Sequence, residues 1–327
     1  MILTNNEGIP QLLYDRIQKD LHSYPYKRPK EAEQCFRVTE LLSPPRPSAL
    51  YYQYFDSDDL VIDAGFFVSM LFGTVLHEMC EGLDTATHKY ETKVQKWFEV
   101  DGKKYLVSGT IDEINEVGDW LIVTDNKTCL VSNLAYDKED YFWQLNIYRN
   151  LLQPNLASLG FSEDLPVSLW LRFFIKDLTA SHKAKSIART SPGSQDHQKA
   201  LDLPDSPLTH MKVPSYSTDV IEKKITDSIR GFVNDPFRMC TSEERWDSVP
   251  SYAVMVRGKK RAVRVFSTEQ EAVRHISTKL PAKDVLLSYV ETRSPQPWER
   301  DKKCQYYCAA KSVCSYAKAQ GYTTVLV

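Results

Sequence analysis

The sequence predicts an α/β fold: a central mixed β-sheet flanked by helices, with a C-terminal region held by metal-binding cysteines. Three observations predict it. Strand-like stretches at residues 92–100, 104–114 and 120–128 are separated by the turn signals Asp101-Gly102 and Val117-Gly118-Asp119. Helical patterns lie on either side of them, from Asp63 to Tyr90 and from Tyr141 to Leu152. The short apolar run 167–175 reads as a further, mostly buried strand.

The elements can be justified in order. Residues 1–60 carry a short helical pattern from Ile9 to Leu21, then the Pro-rich turn Ser43-Pro-Pro-Arg-Pro-Ser48. Pro44 and Pro45 are expected to stop whatever precedes them, making this segment a lead-in helix packed on the core. Between Asp63 and Tyr90, Phe67, Leu71, Leu76, Met79 and Leu83 recur at helical spacing, and His77 and Glu81 share one face. The core is expected over 61–178, with 134–140 as a loop and Pro154 ending the helix that follows. Residues 179–216, rich in Ser, Lys, His and Pro, are expected to form a mobile excursion or lid. In 217–327, a helix over 218–234 precedes a basic-tipped hairpin (252–256 and 261–266) and a helix over 268–280, a β-β-α insert.

At 327 residues the chain can bury a substantial core, and its formal net charge of −2 announces no global attraction to nucleic acid. Any DNA contact must come from local patches. No signal-peptide order and no apolar run of membrane-spanning length is present, so a cytoplasmic protein is expected, in its own cell or in an infected host. Seven cysteines in a reducing compartment are not expected to form disulfides, and some are free to hold a metal.

The chemistry concentrates between Gly73 and Tyr148. Asp125 follows the apolar Leu121-Ile-Val123, which places an acid at the end of a buried strand, where it is costly unless paired. A meander brings Asp112 beside it, and Lys127 projects to the same face as Asp125 because alternate strand residues do. Phosphodiester hydrolysis needs charge stabilisation and an activated water, which divalent metal ions supply. Asp112 and Asp125 would share Mg²⁺, with His77 and the Asn126 carbonyl completing the protein ligands; imidazole also suits Mn²⁺. The Lys127 ammonium would orient the attacking water. Glu91 is a weaker candidate, expected as an exposed acid, and Glu81 is expected to play a structural part.

His77 on a helix, Ser108-Gly-Thr-Ile-Asp112, Val123-Thr-Asp125-Asn-Lys127 and Gln144-Leu-Asn-Ile-Tyr148 form an ordered set. That set resembles the PD-(D/E)XK nuclease superfamily, in its RecB-type and phage exonuclease branch. The resemblance implies a restriction-endonuclease-like core and a deoxyribonuclease, most simply an exonuclease in DNA replication, recombination or end processing. Asp112, Asp125, Lys127, Gln144 and Tyr148 would be catalytic. Gln144 and Tyr148 would contact the DNA backbone or position Lys127. DNA, an annealing protein or a helicase are the partners implied, and a homo-oligomer is compatible with it. An endonuclease using the same site, a non-cleaving DNA-binding or docking protein on this scaffold, and a structural Zn²⁺ protein stay open as alternatives.

Cys304, Cys308 and Cys314 are spaced to converge on one ion, and a tetrahedral site needs a fourth ligand. Cys240 is the first choice and Cys35 the second. All-thiolate ligation suits a [4Fe–4S] cluster or structural Zn²⁺, and resemblance to iron–sulfur nucleases favours the cluster. In some of those relatives a cysteine precedes Pro-Arg near the N-terminus; here Pro44 stands in its place. Cys80 and Cys129 are expected as buried small hydrophobes. Arg257, Lys259, Lys260 and Arg261, with Arg264 nearby, gather positive charge at one hairpin, where phosphate contact is the functional reading.

Overall fold

The computed structural model describes residues 1–23, 35–80, 82–135, 137–178, 204 and 206–322. In chain order the elements are β1 (Ile2–Thr4), α1 (Gln11–Ser23), β2 (Cys35–Arg37), α2 (Val38–Leu41), α3 (Pro45–Tyr54), β3 (Val61–Asp63), α4 (Gly65–Cys80), β4 (His88–Val100), β5 (Lys103–Val117) and β6 (Trp120–Cys129). They continue with α5 (Glu139–Leu152), α6 (Leu156–Leu159), β7 (Val167–Ile175), β8 (Leu208–Val213) and α7 (Thr218–Asn234). The last are β9 (Ser251–Val256), β10 (Arg264–Phe266), α8 (Glu269–Lys279), α9 (Ala282–Val285), β11 (Ser288–Arg293) and α10 (Ser315–Ala319). The chain divides into a larger unit, Leu3–Tyr52 with Asp63–Phe237, and a smaller one made of Met1–Ile2, Gln53–Ile62 and the segment from Arg238 on. No helix among the described residues is long and apolar enough to cross a membrane.

The larger unit is a mixed sheet flanked by helices. Strands β4 and β5 pair antiparallel from His88↔Asn115 to Val100↔Lys103. Asp101 and Gly102 join them, both with positive φ (51° and 75°), the pair of left-handed residues that a type I′ turn requires. The other edge of β5 is shared: β2 lies parallel along Leu106 to Ser108, and β6 antiparallel from Glu113 to Val117. Helix α5 crosses from β6 to its parallel neighbour β7, and β8 pairs antiparallel beyond it, giving the order β2-β5-β6-β7-β8 with β4 on β5. Leu169, Leu171 and Phe173 of β7 are buried, as expected for an interior strand. Helix α7 offers Ile221, Ile225, Ile229 and Phe232 to the core at steps of one helical turn. Each such side chain contributes about 1.5–3 kcal/mol on burial.

In the smaller unit, β9 lies between β10 and β11 in a three-stranded antiparallel sheet. Thr268 caps α8 by accepting the Glu271 backbone N–H. The predicted β-β-α insert thus gains a third strand, β11, which returns to the hairpin after α8 and α9.

Several other expectations are corrected. Pro44 and Pro45 follow the end of α2 at Leu41, as expected, but the Pro-rich stretch is not a turn throughout, since Pro45 begins α3, where its missing N–H is harmless in a first turn. Helix α4 ends at Cys80, so Leu83 lies outside it, and Met79 is exposed rather than part of the apolar seam. Glu81 lies outside the described residues. Within the expected excursion 179–216, Leu208–Val213 is the edge strand β8; residues 179–203 lie outside the described residues. Helix α7 belongs with the sheet, so the smaller unit begins at Arg238 and not at 217.

Candidate active site

Four consecutive elements bring the candidate residues together. His77 is in the last turn of α4, Glu91 on β4, Asp112 on β5, and Asp125 with Lys127 on β6. The β5–β6 register pairs Glu113 with Thr124, so the next rung sets Asp112 opposite Asp125. Asp112 Oδ2 accepts the Asn126 backbone N–H at 2.6 Å. The two acids are buried, 7% and 1% exposed. His77 Nδ1 lies 2.7 Å from Glu91 Oε1 and 3.8 Å from Asp112 Oδ1. Among the described residues, His77, Glu91 and Asp112 form a set whose ligand atoms all lie within 4.8 Å of one another.

Glu91 is the residue that sequence reasoning underrated. It stands across from Asp112 on the β4–β5 ladder with φ 45°, a left-handed conformation that a glutamate rarely adopts inside a strand. The twist turns its carboxylate to His77. Nothing in the residue types around Glu91 signals that conformation.

Asp125 faces Lys127, with Oδ2 2.8 Å from Nζ. This buried oxygen has the Lys127 ammonium as its ion-pair partner and no further hydrogen bond among the described residues. Lys127 Nζ also donates to Gln144 Oε1 at 3.2 Å and lies 4.9 Å from the Tyr141 ring centroid. Gln144 in turn donates to the Tyr148 hydroxyl at 3.0 Å. Both Gln144 and Tyr148 are buried, so of their two expected roles this geometry suits positioning of Lys127 rather than contact with a DNA backbone. Gly109 lets Tyr148 pack there: a Cβ on it would lie 2.5 Å from Tyr148 Cε1.

Asn126 sends its side chain the other way, accepting from Arg172 at 3.2 Å. Arg172 also binds the buried Glu113, which His88 Nε2 meets at 2.9 Å, and its Nε reaches His210 at 3.1 Å. Burial pushes Glu113 up, but Arg172 and His88 more than offset it and keep the carboxyl ionised. The result is a buttress across β4, β5, β7 and β8.

The electrostatics of the site call for additional positive charge. Burial, then the neighbouring Asp125, push Asp112 up to about 7. Burial alone would lower Lys127, yet Asp125 and Asp112 hold it above its ordinary value. The hydrogen bond to Glu91 raises His77. Carboxylates and an imidazole around a buried oxygen that has only an ion-pair partner are a donor set that fits a hard divalent cation.

In the smaller unit, Cys240 joins the predicted trio. Burial raises Cys304 to about 12, with Cys308, Cys240 and Cys314 adding to it; burial likewise raises Cys308 to about 11, with Cys314 and Cys240 contributing. Cys35, the alternative fourth ligand, is on β2 with its sulfur 3.8 Å from Ser108 Oγ. Cys129 is buried, as expected, and the Cys80 side chain lies outside the described residues. Arg257, Lys259, Lys260 and Arg261 are exposed, with Lys259 paired to Asp284 at 2.9 Å. Strand β10 starts only at Arg264, so Arg261 falls in the loop rather than on a strand.

No family model matches the sequence, and no curated protein matches it. Among solved structures, the chain is similar to the crystal structure of SSO0001, with 18% identity, a TM-score of 0.45, and coverage of 67% of this chain and 86% of that one.

Proposed function

We propose that this chain is a metal-dependent DNA hydrolase of the PD-(D/E)XK type, most simply a phage-type exonuclease acting in DNA replication, recombination or end processing. The observation that carries the proposal is the meeting of His77, Glu91, Asp112, Asp125 and Lys127 at one buried end of the sheet. Asp112, Asp125, His77 and the Asn126 carbonyl would hold Mg²⁺ or Mn²⁺, with Glu91 as an added ligand or as the partner that orients His77. A divalent ion bound there supplies charge neutralisation at the phosphate and a water of lowered pKa. Lys127 does the remaining electrostatic work. It is kept charged by two acids and fixed by Gln144 and Tyr141, so it donates to the attacking water or to charge developing on the phosphate. Because Lys127 stays protonated, it orients and stabilises rather than accepting a proton.

The four thiols fit a metal as well: Cys304 and Cys308, raised by burial and by the neighbouring thiols, would be relieved by a cation between them. All-thiolate ligation suits structural Zn²⁺ or a [4Fe–4S] cluster, and resemblance to iron–sulfur nucleases favours the cluster.

The test is a cleavage time course on end-labelled linear and closed circular DNA, in Mg²⁺ and in Mn²⁺, beside Lys127→Ala. Loss of linear DNA alone, slowed at least about 100-fold in the variant, is expected. Nicking of the circle would make the protein an endonuclease with the same residues. Equal cleavage by wild type and variant would refute the site, and binding without cleavage by either would leave a DNA-binding scaffold.

A further inference from the structure

The smaller unit carries an aromatic cluster that the proposed catalytic chemistry does not use. Trp246, Tyr306 and Tyr307 are 48%, 42% and 60% exposed. The Trp246 and Tyr307 ring centroids are 5.3 Å apart at 56°, and those of Tyr306 and Tyr307 6.3 Å apart at 71°. Rings tilted in this way do not cover one another's faces. Lys303 Nζ lies 5.2 Å from the Trp246 centroid.

Two left-handed residues shape this surface. Trp246 has φ 58°, an outlier for so bulky a side chain, and it presents the indole outward. Asp301 has φ 46° and does the reverse. Its carboxylate turns inward, 5% exposed, and is bound by Arg245 Nε at 2.7 Å and by the Tyr316 and Tyr322 hydroxyls. In the run Arg300-Asp301-Lys302-Lys303, Arg300 is exposed and Lys302 and Lys303 are half-buried, while the acid is neutralised within. Of the neighbouring acids, Glu244 and Asp247 pair with Arg238 and Arg245, and Glu243 stays exposed. Backbone bonds fix both turns: Trp246 N–H to the Glu243 carbonyl at 2.9 Å, and Lys303 N–H to the Arg245 carbonyl at 3.0 Å. Strain held this firmly at an exposed aromatic points to a use for the ring.

We infer that Trp246, Tyr306 and Tyr307 are a stacking platform for the bases of single-stranded nucleic acid, with Arg300, Lys302 and Lys303 meeting its phosphates. Lys303 covers one face of the Trp246 indole, and exposed rings beside lysines and an arginine are what such strands bind, because every base has a π-face and every linkage a negative charge. Sequence specificity is not expected of it. The inference rests on the DNA-directed reading above for its choice of ligand.

The test is a fluorescence anisotropy titration of the full chain with a labelled oligothymidylate, without added divalent metal. It compares wild type with Trp246→Gly, Trp246→Phe and Tyr307→Leu. Glycine removes the indole and suits the left-handed backbone, so Trp246→Gly is expected to fold; Tyr307 is exposed enough to replace safely. Removing either ring should raise Kd about tenfold, with Trp246→Phe restoring most of the affinity, and binding should quench the indole emission of the wild type. Binding by Trp246→Gly and Tyr307→Leu within about twofold of wild type would overturn the platform and turn the patch to a protein partner. Cleavage is scored separately. Ring-dependent binding by a protein that never cleaves keeps the platform and removes the nuclease reading, whereas intact Lys127-dependent cleavage with unchanged binding removes the platform alone.

Discussion

The carboxylate site and the cysteine site are assembled by opposite means. His77, Glu91, Asp112, Asp125 and Lys127 stand on a helix and three strands whose backbone bonds are satisfied without any ligand. Cys240, Cys304, Cys308 and Cys314 stand on turns, a single π-turn over Lys303–Tyr307 and loops without a ladder of their own. The first is pre-organised by the sheet. On the proposed reading the second would depend on a metal or cluster held by its sulfurs, because little regular structure is there to fix them.

The sharpest way to break that contrast is Cys308→Ser. The variant should lose its bound metal or cluster, seen as lost visible absorption or metal content, and the segment from Arg238 on should become open to limited proteolysis. Structural metal sites of this kind carry about 10 kcal/mol or more of binding energy. The strand signal in circular dichroism should persist. If proteolysis is unchanged, the cysteine region is as self-sufficient as the sheet and the contrast fails.

A pH titration of the stripped protein examines the carboxylate side. Asp112 is raised from about 4 in an unfolded chain to about 7, so between these values the folded state holds a proton that the unfolded state has released. Its contribution to stability is full below about pH 4 and is lost as pH rises through 7, at up to about 1.4 kcal/mol per unit. Added Mg²⁺ should reverse the loss, and its affinity should climb with pH until Asp112 is ionised. A flat melting temperature over this range would mean that Asp112 does not share its charge with Asp125.

Gly109→Ala should cost about 1–3 kcal/mol of stability by overpacking against Tyr148, read as a lower melting temperature. It should also slow cleavage through the Tyr148–Gln144–Lys127 chain. The smallest effect on the fold is expected from Glu91→Gly. Glycine suits φ 45°, so stability should hold or rise by about 0.5–1 kcal/mol. Metal affinity, measured by calorimetry, should fall about 10- to 100-fold. Destabilisation without loss of affinity would make Glu91 structural.

The sheet was legible wherever one rule governed a stretch. Val167–Ile175 reads as buried because it is apolar throughout, and Asp101-Gly102 admits few other turns. Strand β8, Leu-Thr-His-Met-Lys-Val, is an edge with mixed residues, and its pairing is decided by β7 rather than by its own pattern. Pro44 and Pro45 did mark the stop after α2, but the helix that Pro45 begins went unread, because proline favours a helix start as well and only the following turns reveal it. The acids and Lys127 were visible through strand alternation and order in the chain. Glu91 was read only as a weaker candidate and an exposed acid, since a left-handed residue inside a strand leaves no mark on composition. The inward turn of Asp301 was hidden for the same reason.

The two-residue turn between β4 and β5 bears on the order of assembly. Its strands are adjacent in the chain, so their pairing, like that of β5 with β6, closes a two-residue loop, and hairpins of this kind form in microseconds. Glu91 and Asp112 therefore meet early, and a second short turn delivers Asp125 and Lys127. The crossover through α5 to the parallel strand β7 needs longer-range contacts and forms late. During folding the chain gathers its acids before it has the helix that fixes Lys127, so competence is the last property the larger unit acquires.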